Sequence, residues 1–194
     1  MPTPAATFRH PEQLRTPGAG WYLVHAFLFS IAAALLGGFW VEFVWAEAPC
    51  RLCLLQRMCM MLAGMGPVWI LAHRQTENAV IVWAQGFGIS ILASVLGMSI
   101  SLRQILLHIA PYDPGFGSPV LGYHLYSWAF FIFGTVLVCS GGVLLLARQL
   151  AMPVNKDDTP QLTQLALWLF GLLILANGLV AGYKAVAAVL AVPN

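Results

Sequence analysis

The chain has 194 residues, 60% hydrophobic and only 8% charged, with a mean hydropathy of +0.81. An ordinary soluble domain is about 25% charged, so this chain has too few charges to cover a water-facing surface, and an integral membrane protein is the class that remains. The net charge of +2, without any basic run or aromatic-basic patch, gives no support to nucleic-acid binding.

A bilayer-crossing helix needs about 20 apolar residues, and five segments supply them. Residues 1–20, with four prolines, are expected to form a mobile cytoplasmic tail. The first apolar segment, Trp21 to Ala46, carries Glu42 near its far end. Arg9 and Arg15 precede it as in a signal peptide. It is too long for a signal core and has no small-residue cleavage site, so it reads as a retained anchor helix. The second segment runs from about Leu54 to Ala72, the third from Ala79 to Leu102, the fourth from about Leu125 to Ala147 and the fifth from about Leu162 to Leu190. The expected fold is all-α: a four-helix transmembrane bundle over 21–148, a cytoplasmic loop over 149–161, and an additional transmembrane helix in 162–194.

The connections differ in character. Residues 73–78 make a short polar turn, and 152–161 a polar loop closing on Thr159-Pro160, a helix start signal. Residues 110–124 hold three prolines and three glycines, which forbid a long helix, together with apolar and aromatic residues that suit a membrane interface. Positive charge orients the chain. With the N-terminus inside, Arg9, Arg15, Arg74, Arg148 and Lys156 are inner, and Arg51, Arg57, Arg103 and Lys184 outer. Arg51 and Arg57 belong to a motif and Lys184 can snorkel, so the inside is the more positive side.

That motif is Ala48-Pro49-Cys50-Arg51-Leu52-Cys53-Leu54-Leu55-Gln56-Arg57. Pro49 is expected in the first turn of the second helix, where its missing N–H is not needed. The two cysteines then fall in the opening turns, where free N–H groups and the helix dipole favour thiolate. Cys53 and Arg57, four apart, share a face, and a guanidinium there can stabilise a thiolate or a developing oxyanion. Cys50 and Cys53 are close enough to form a strained, oxidising disulfide. Arg57, two turns into the membrane, needs a partner, a polar cavity or a route to the surface. Zinc would require a second ligand pair, which is missing, and Cys59 lies on another side of the helix. A c-type haem would require histidine where Leu54 stands. Two inert thiols and a redox pair remain.

A proline followed by Cys50-x-Leu-Cys53 and then Arg57, opening the second helix of a small polytopic chain, resembles the disulfide bond formation protein B (DsbB) family, over roughly residues 20 to 148. The resemblance implies, rather than the spacing, a membrane thiol:quinone oxidoreductase of the bacterial inner membrane, N-terminus cytoplasmic and the cysteine pair periplasmic. Its electrons would come from a periplasmic DsbA-like thiol oxidoreductase or a small thiol, and pass to ubiquinone or menaquinone. Carried over, Cys53 would face the quinone, Cys50 would receive the incoming thiolate, and Arg57 would sit beside the quinone carbonyl. The chain departs from the family pattern in two respects. The second outer loop lacks the second cysteine pair, so Cys50-Cys53 must exchange directly with its substrate or a helper protein must supply that pair. The fifth helix is also additional. These departures keep a second reading open, a non-catalytic membrane subunit or assembly factor on the same scaffold.

Further candidates are weaker. Arg103 and Gln104, at the end of the third helix, could line the quinone head-group site, or Arg103 could be an interfacial anchor. His108 and His124 flank the outer loop, where a proton path or simple hydrogen bonding would explain them. Glu42 is a partner for Arg57 or a snorkelling carboxylate. His25 and Cys139 are assigned to packing, and His25 alone lies clearly at depth, which argues against a haem-b anchor. Gly178 and Gly182 form a GxxxG that is either a packing face or chance. The Gly-rich triplets at 37–39, 64–66 and 86–88 read as packing.

Overall fold

The computed structural model describes residues 18–47, 49–74, 78–110, 112–151 and 160–190. The N-terminal tail to residue 17, residues 75–77 of the 73–78 turn, the loop with Lys156 and Thr159, and the Lys184 side chain lie outside the described residues. Six helices follow in order: α1 (Ala19–Val44), α2 (Arg51–Ala72), α3 (Ala79–Leu107), α4 (Leu125–Leu145), the short α5 (Ala147–Leu150) and α6 (Pro160–Leu190). Five of them are long and apolar enough to cross a membrane. The chain is an all-helical polytopic membrane protein, as its composition requires.

Each helix buries one stripe and leaves the rest to lipid. On α1 the buried positions are Trp21, Val24, His25, Leu28, Ile31, Ala32 and Leu35, three or four residues apart. On the lipid side, Leu92 of α3, Val138 of α4 and Trp168 of α6 are exposed. Cys139 joins them: it is exposed on α4, not packed in the core as the sequence suggested.

The tightest seam is between α2 and α3, and small residues make it. A Cβ on Gly66 would lie 2.3 Å from the Gly86 carbonyl oxygen, and one on Gly86 would lie 2.6 Å from that of Gly66. Backbones can approach this closely only where side chains are absent. Pro67, inside α2, has no N–H to offer the Ala63 carbonyl one turn back. Ser90 of α3 fills the gap, its hydroxyl donating to Ala63 O at 2.7 Å.

The fifth spanning helix, α6, packs on α1 and α2. Phe170 is buried and seats over Gly64, where a Cβ would come within 2.1 Å of its ring. His25 bonds its own helix through Nδ1 to Trp21 O at 2.9 Å, and its Nε2 meets the Thr163 hydroxyl at 3.3 Å. A buried histidine thus ties α1 to α6. By contrast, a Cβ on Gly178 or Gly182 would meet nothing within 4 Å, so that GxxxG is no packing face among the described residues. Helices α2 and α3 pack together, as do α3 and α4, and α1 lies on α2, but α1 and α4 do not close on one another. The bundle is therefore open along one side, and the candidate functional residues gather there.

Candidate functional site at the open side of the bundle

Helix α2 begins at Arg51, with Cys50 as its N-cap in an extended conformation (φ −70°, ψ 167°). Pro49 therefore precedes the cap instead of occupying the first helical turn. The reason is local: only from the cap position can the Cys50 sulfur accept the Cys53 backbone N–H, at 3.1 Å. The two cysteines are free thiols with sulfurs 2.7 Å apart.

Behind the pair stands a chain of buried amides. Gln104 is 1% exposed, and its Nε2 lies 3.3 Å from Cys50 Sγ and 3.6 Å from Cys53 Sγ. Its Oε1 accepts Gln56 Nε2 at 3.1 Å. Helix α3 delivers Gln104 because it continues to Leu107, five residues past the expected end at Leu102. The polar residues that end the apolar run, Ser101 and Gln104, are satisfied inside the protein, Ser101 by the Gly97 carbonyl at 2.9 Å. Arg103, one residue and about 100° round the helix, is exposed.

Arg57 lies one turn below Cys53. It forms an ion pair with Glu42 of α1, donates from Nη2 to the Gly38 carbonyl at 2.7 Å, and sits 5.2 Å from the Phe39 ring centroid. Its side chain is 14% exposed and that of Glu42 only 4%. The buried cation thus has a partner, one of the two options the sequence left open for Glu42, and it is held on the α1 backbone where Gly38 leaves room.

These groups border a cavity of about 590 Å³ between α1, α2, α4 and the outer loop. Cys53, Gln56 and Arg57 line it, as do Glu42, Glu47 and mainly apolar residues such as Leu35, Trp40, Met60 and Ile132. Cys50, Arg103 and Gln104 are not among the lining residues. Cys59 is buried in the core, away from the pair.

The loop between α3 and α4 folds over the cavity mouth. Glu47 Oε1 accepts the Ser118 N–H at 2.9 Å, which fastens the loop to the α1–α2 connection. Gly117 beside it has φ +77°, a conformation that favours glycine, and a Cβ there would lie 2.9 Å from Glu47 Oε2 and push that carboxylate aside. Val120 and Tyr123 exchange backbone hydrogen bonds of 2.8 and 3.1 Å, and Trp128 Nε1 donates to Val120 O at 2.9 Å. His108 bonds Asp113 at 3.1 Å, His124 meets Gly117 O at 3.0 Å, and the two imidazoles stack against Tyr126 with centroids 5.7 and 5.3 Å away. Both histidines are structural partners of the loop. The Asp113 carboxyl is held below the usual carboxylate range by the Gly115 N–H first and His108 second.

Sequence reasoning did not single out Gln56 or Glu47. The signal for Gln56 was present, since a glutamine in an apolar spanning helix needs an internal partner. Glu47 gave none, because only the folded loop brings Ser118 to it.

The chain is similar to "Disulfide bond formation protein B" of Chromobacterium violaceum, 34% identical over 87 residues, which is 43% of this chain and 51% of that protein. It thus spans about half the length of the curated relative it matches. No solved structure matches it. The model of the family described as "Disulfide bond formation protein DsbB" matches residues 20–118, which cover α1 to α3 and most of the outer loop. That is just over half of the chain, and with the capped cysteine pair inside the matched region the chain belongs to the DsbB family.

Proposed function

We propose that this protein is a membrane thiol:quinone oxidoreductase, reoxidising a periplasmic DsbA-like thiol protein or a small thiol and passing the electrons to membrane quinone. The observation that carries the reading is that Cys53 and Arg57 share one wall of a largely apolar cavity, while Cys50, 2.7 Å from Cys53, stays off that wall. The two sulfurs therefore have different neighbours and can serve different reactants. The volume of about 590 Å³ lies within the range of small-molecule sites.

The residues fit a quinone head group. Apolar walls suit its ring and tail. A guanidinium has five N–H groups, so its bonds to Glu42 and Gly38 leave Arg57 donors for a carbonyl oxygen. A bound quinone, ubiquinone or menaquinone, would supply a two-electron, two-proton acceptor. In the thiol half-reaction, an incoming thiolate attacks Cys50 of the Cys50–Cys53 disulfide, and Cys53 leaves as the thiolate. A second thiol of the substrate then displaces Cys50, so the substrate is oxidised to a disulfide and the pair is left reduced. Cys53 next delivers the electron pair on the cavity side, and the Cys50–Cys53 bond forms again.

The outer loop holds no second cysteine pair, so Cys50–Cys53 exchanges directly with the substrate or through a helper protein that carries one. The orientation that goes with this chemistry is N-terminus cytoplasmic and cysteine pair periplasmic, in a bacterial inner membrane. The test is the redox state of the pair in membranes alkylated with and without quinone depletion. Oxidised cysteines that become reduced on depletion are expected. A pair that stays fully reduced while quinone is plentiful and oxidised would refute the reading.

A further inference from the structure

We infer that Gln104 is a further catalytic residue, whose side-chain amide stabilises the thiolate of the reduced Cys50–Cys53 pair, and that Gln56 is the positioning residue that keeps the amide turned the right way. The role rests on the proposed thiol chemistry, but its physical basis is independent of any acceptor.

Gln104 is the one side chain from outside α2 shown hydrogen-bonded to both sulfurs, at 3.3 and 3.6 Å, among the described residues. It is almost wholly buried, while the two sulfurs it meets are part-buried. A glutamine amide has two faces of opposite chemistry. Its NH₂ donates to sulfur and favours thiolate, while its oxygen accepts and favours the protonated thiol. Gln56 chooses between them. Its Nε2 holds Gln104 Oε1 at 3.1 Å, which keeps that oxygen 4.0 Å from Cys53 Sγ while the NH₂ comes closer, to 3.6 Å from it and 3.3 Å from Cys50 Sγ. Gln56 lies three residues after Cys53 on α2, so one helix carries both the thiol and the clamp for the amide that serves it. Because Gln104 donates without carrying charge, it stabilises the thiolate without adding a second buried cation beside Arg57.

The test titrates the lone Cys53 thiol in a Cys50→Ser, Cys59→Ala, Cys139→Ala background, which removes the other three thiols, on purified protein in detergent, by the pH dependence of its alkylation by iodoacetamide. Quinone plays no part in this readout, so it stands whether or not the oxidoreductase reading does. Hydrogen bonds to charged groups are worth enough to move a pKa by about one unit. Gln104→Leu and Gln56→Leu are each expected to raise the midpoint by about that much. Gln104→Met, of equal length, replaces the leucine if packing suffers. A residue that only fills space would change the unfolding temperature and leave the midpoint alone. Midpoints unchanged in all three variants overturn the inference. A shift at 104 with none at 56 overturns the clamp.

Discussion

Glu42→Ala would leave the Arg57 guanidinium in an apolar cavity with only the Gly38 carbonyl and the Phe39 ring for company. Removing one partner of a buried ion pair costs about 3–5 kcal/mol, mostly from the charge left behind. Arg57 keeps those two contacts and 14% exposure, which brings the expectation to the low end, about 3 kcal/mol. Glu42→Gln retains an acceptor and should cost less, about 1–2 kcal/mol. The decisive variant removes both charges. Glu42→Leu with Arg57→Met replaces the pair by apolar groups of similar size, and such replacements are often neutral. The double variant should lie within about 1 kcal/mol of the parent, well short of the sum of the single losses. Reversible unfolding in mixed micelles, followed by circular dichroism, measures the parent, Glu42→Ala, Glu42→Gln, the singles Glu42→Leu and Arg57→Met, and the double variant. If the double variant loses the sum of the singles to within about 0.5 kcal/mol, the two side chains are not coupled and the account of how a charge is kept at that depth is wrong.

Ser90→Ala should cost about 1–2 kcal/mol, because it strips the partner from a carbonyl that Pro67 already leaves unpaired. Adding Pro67→Ala restores an N–H to that carbonyl and should remove most of the loss, and an equal loss in either background would contradict the assignment. Gly66→Ala should cost about 3 kcal/mol by forcing α2 and α3 apart, whereas Gly88→Ala, which meets nothing within 4 Å, should be neutral or stabilising; the same unfolding assay ranks them. Asp113 binds its proton less readily in the folded loop than in an unfolded chain. Its contribution is therefore complete above the ordinary carboxylate range and lost as pH falls through the lowered folded value. Fluorescence of Trp128, bonded to that loop, should change only in acid, and Asp113→Asn should remove the change.

The spans were legible because membrane helices advertise themselves by length and apolarity, and each of the five lies close to where composition put it. The Arg57–Glu42 pair was legible for a related reason: charge at depth is so costly that two lone charges on neighbouring helices have little choice. Helix ends were harder. Polar residues end an apolar run without ending a helix, so α3 stopped too early in the sequence, and that hid the burial of Gln104. Pro49 was set two residues too deep because a sulfur is an uncommon cap. Partnerships between segments far apart in sequence, Gln56 with Gln104 and Glu47 with Ser118, depend on how helices and loops are set side by side. No periodicity records that.

On the proposed chemistry, the gap between α1 and α4 would be a side entrance to the cavity. A molecule dissolved in the bilayer would reach Cys53 by lateral diffusion, and its availability would be set by its mole fraction among lipids, not by any concentration in water. A thiol in water would meet Cys50 from the other direction. On the proposed chemistry the two reactants belong to different phases and do not compete for one surface, so saturating the enzyme with one should leave the affinity for the other unchanged. The two sulfurs, 2.7 Å apart, would form the boundary between those phases.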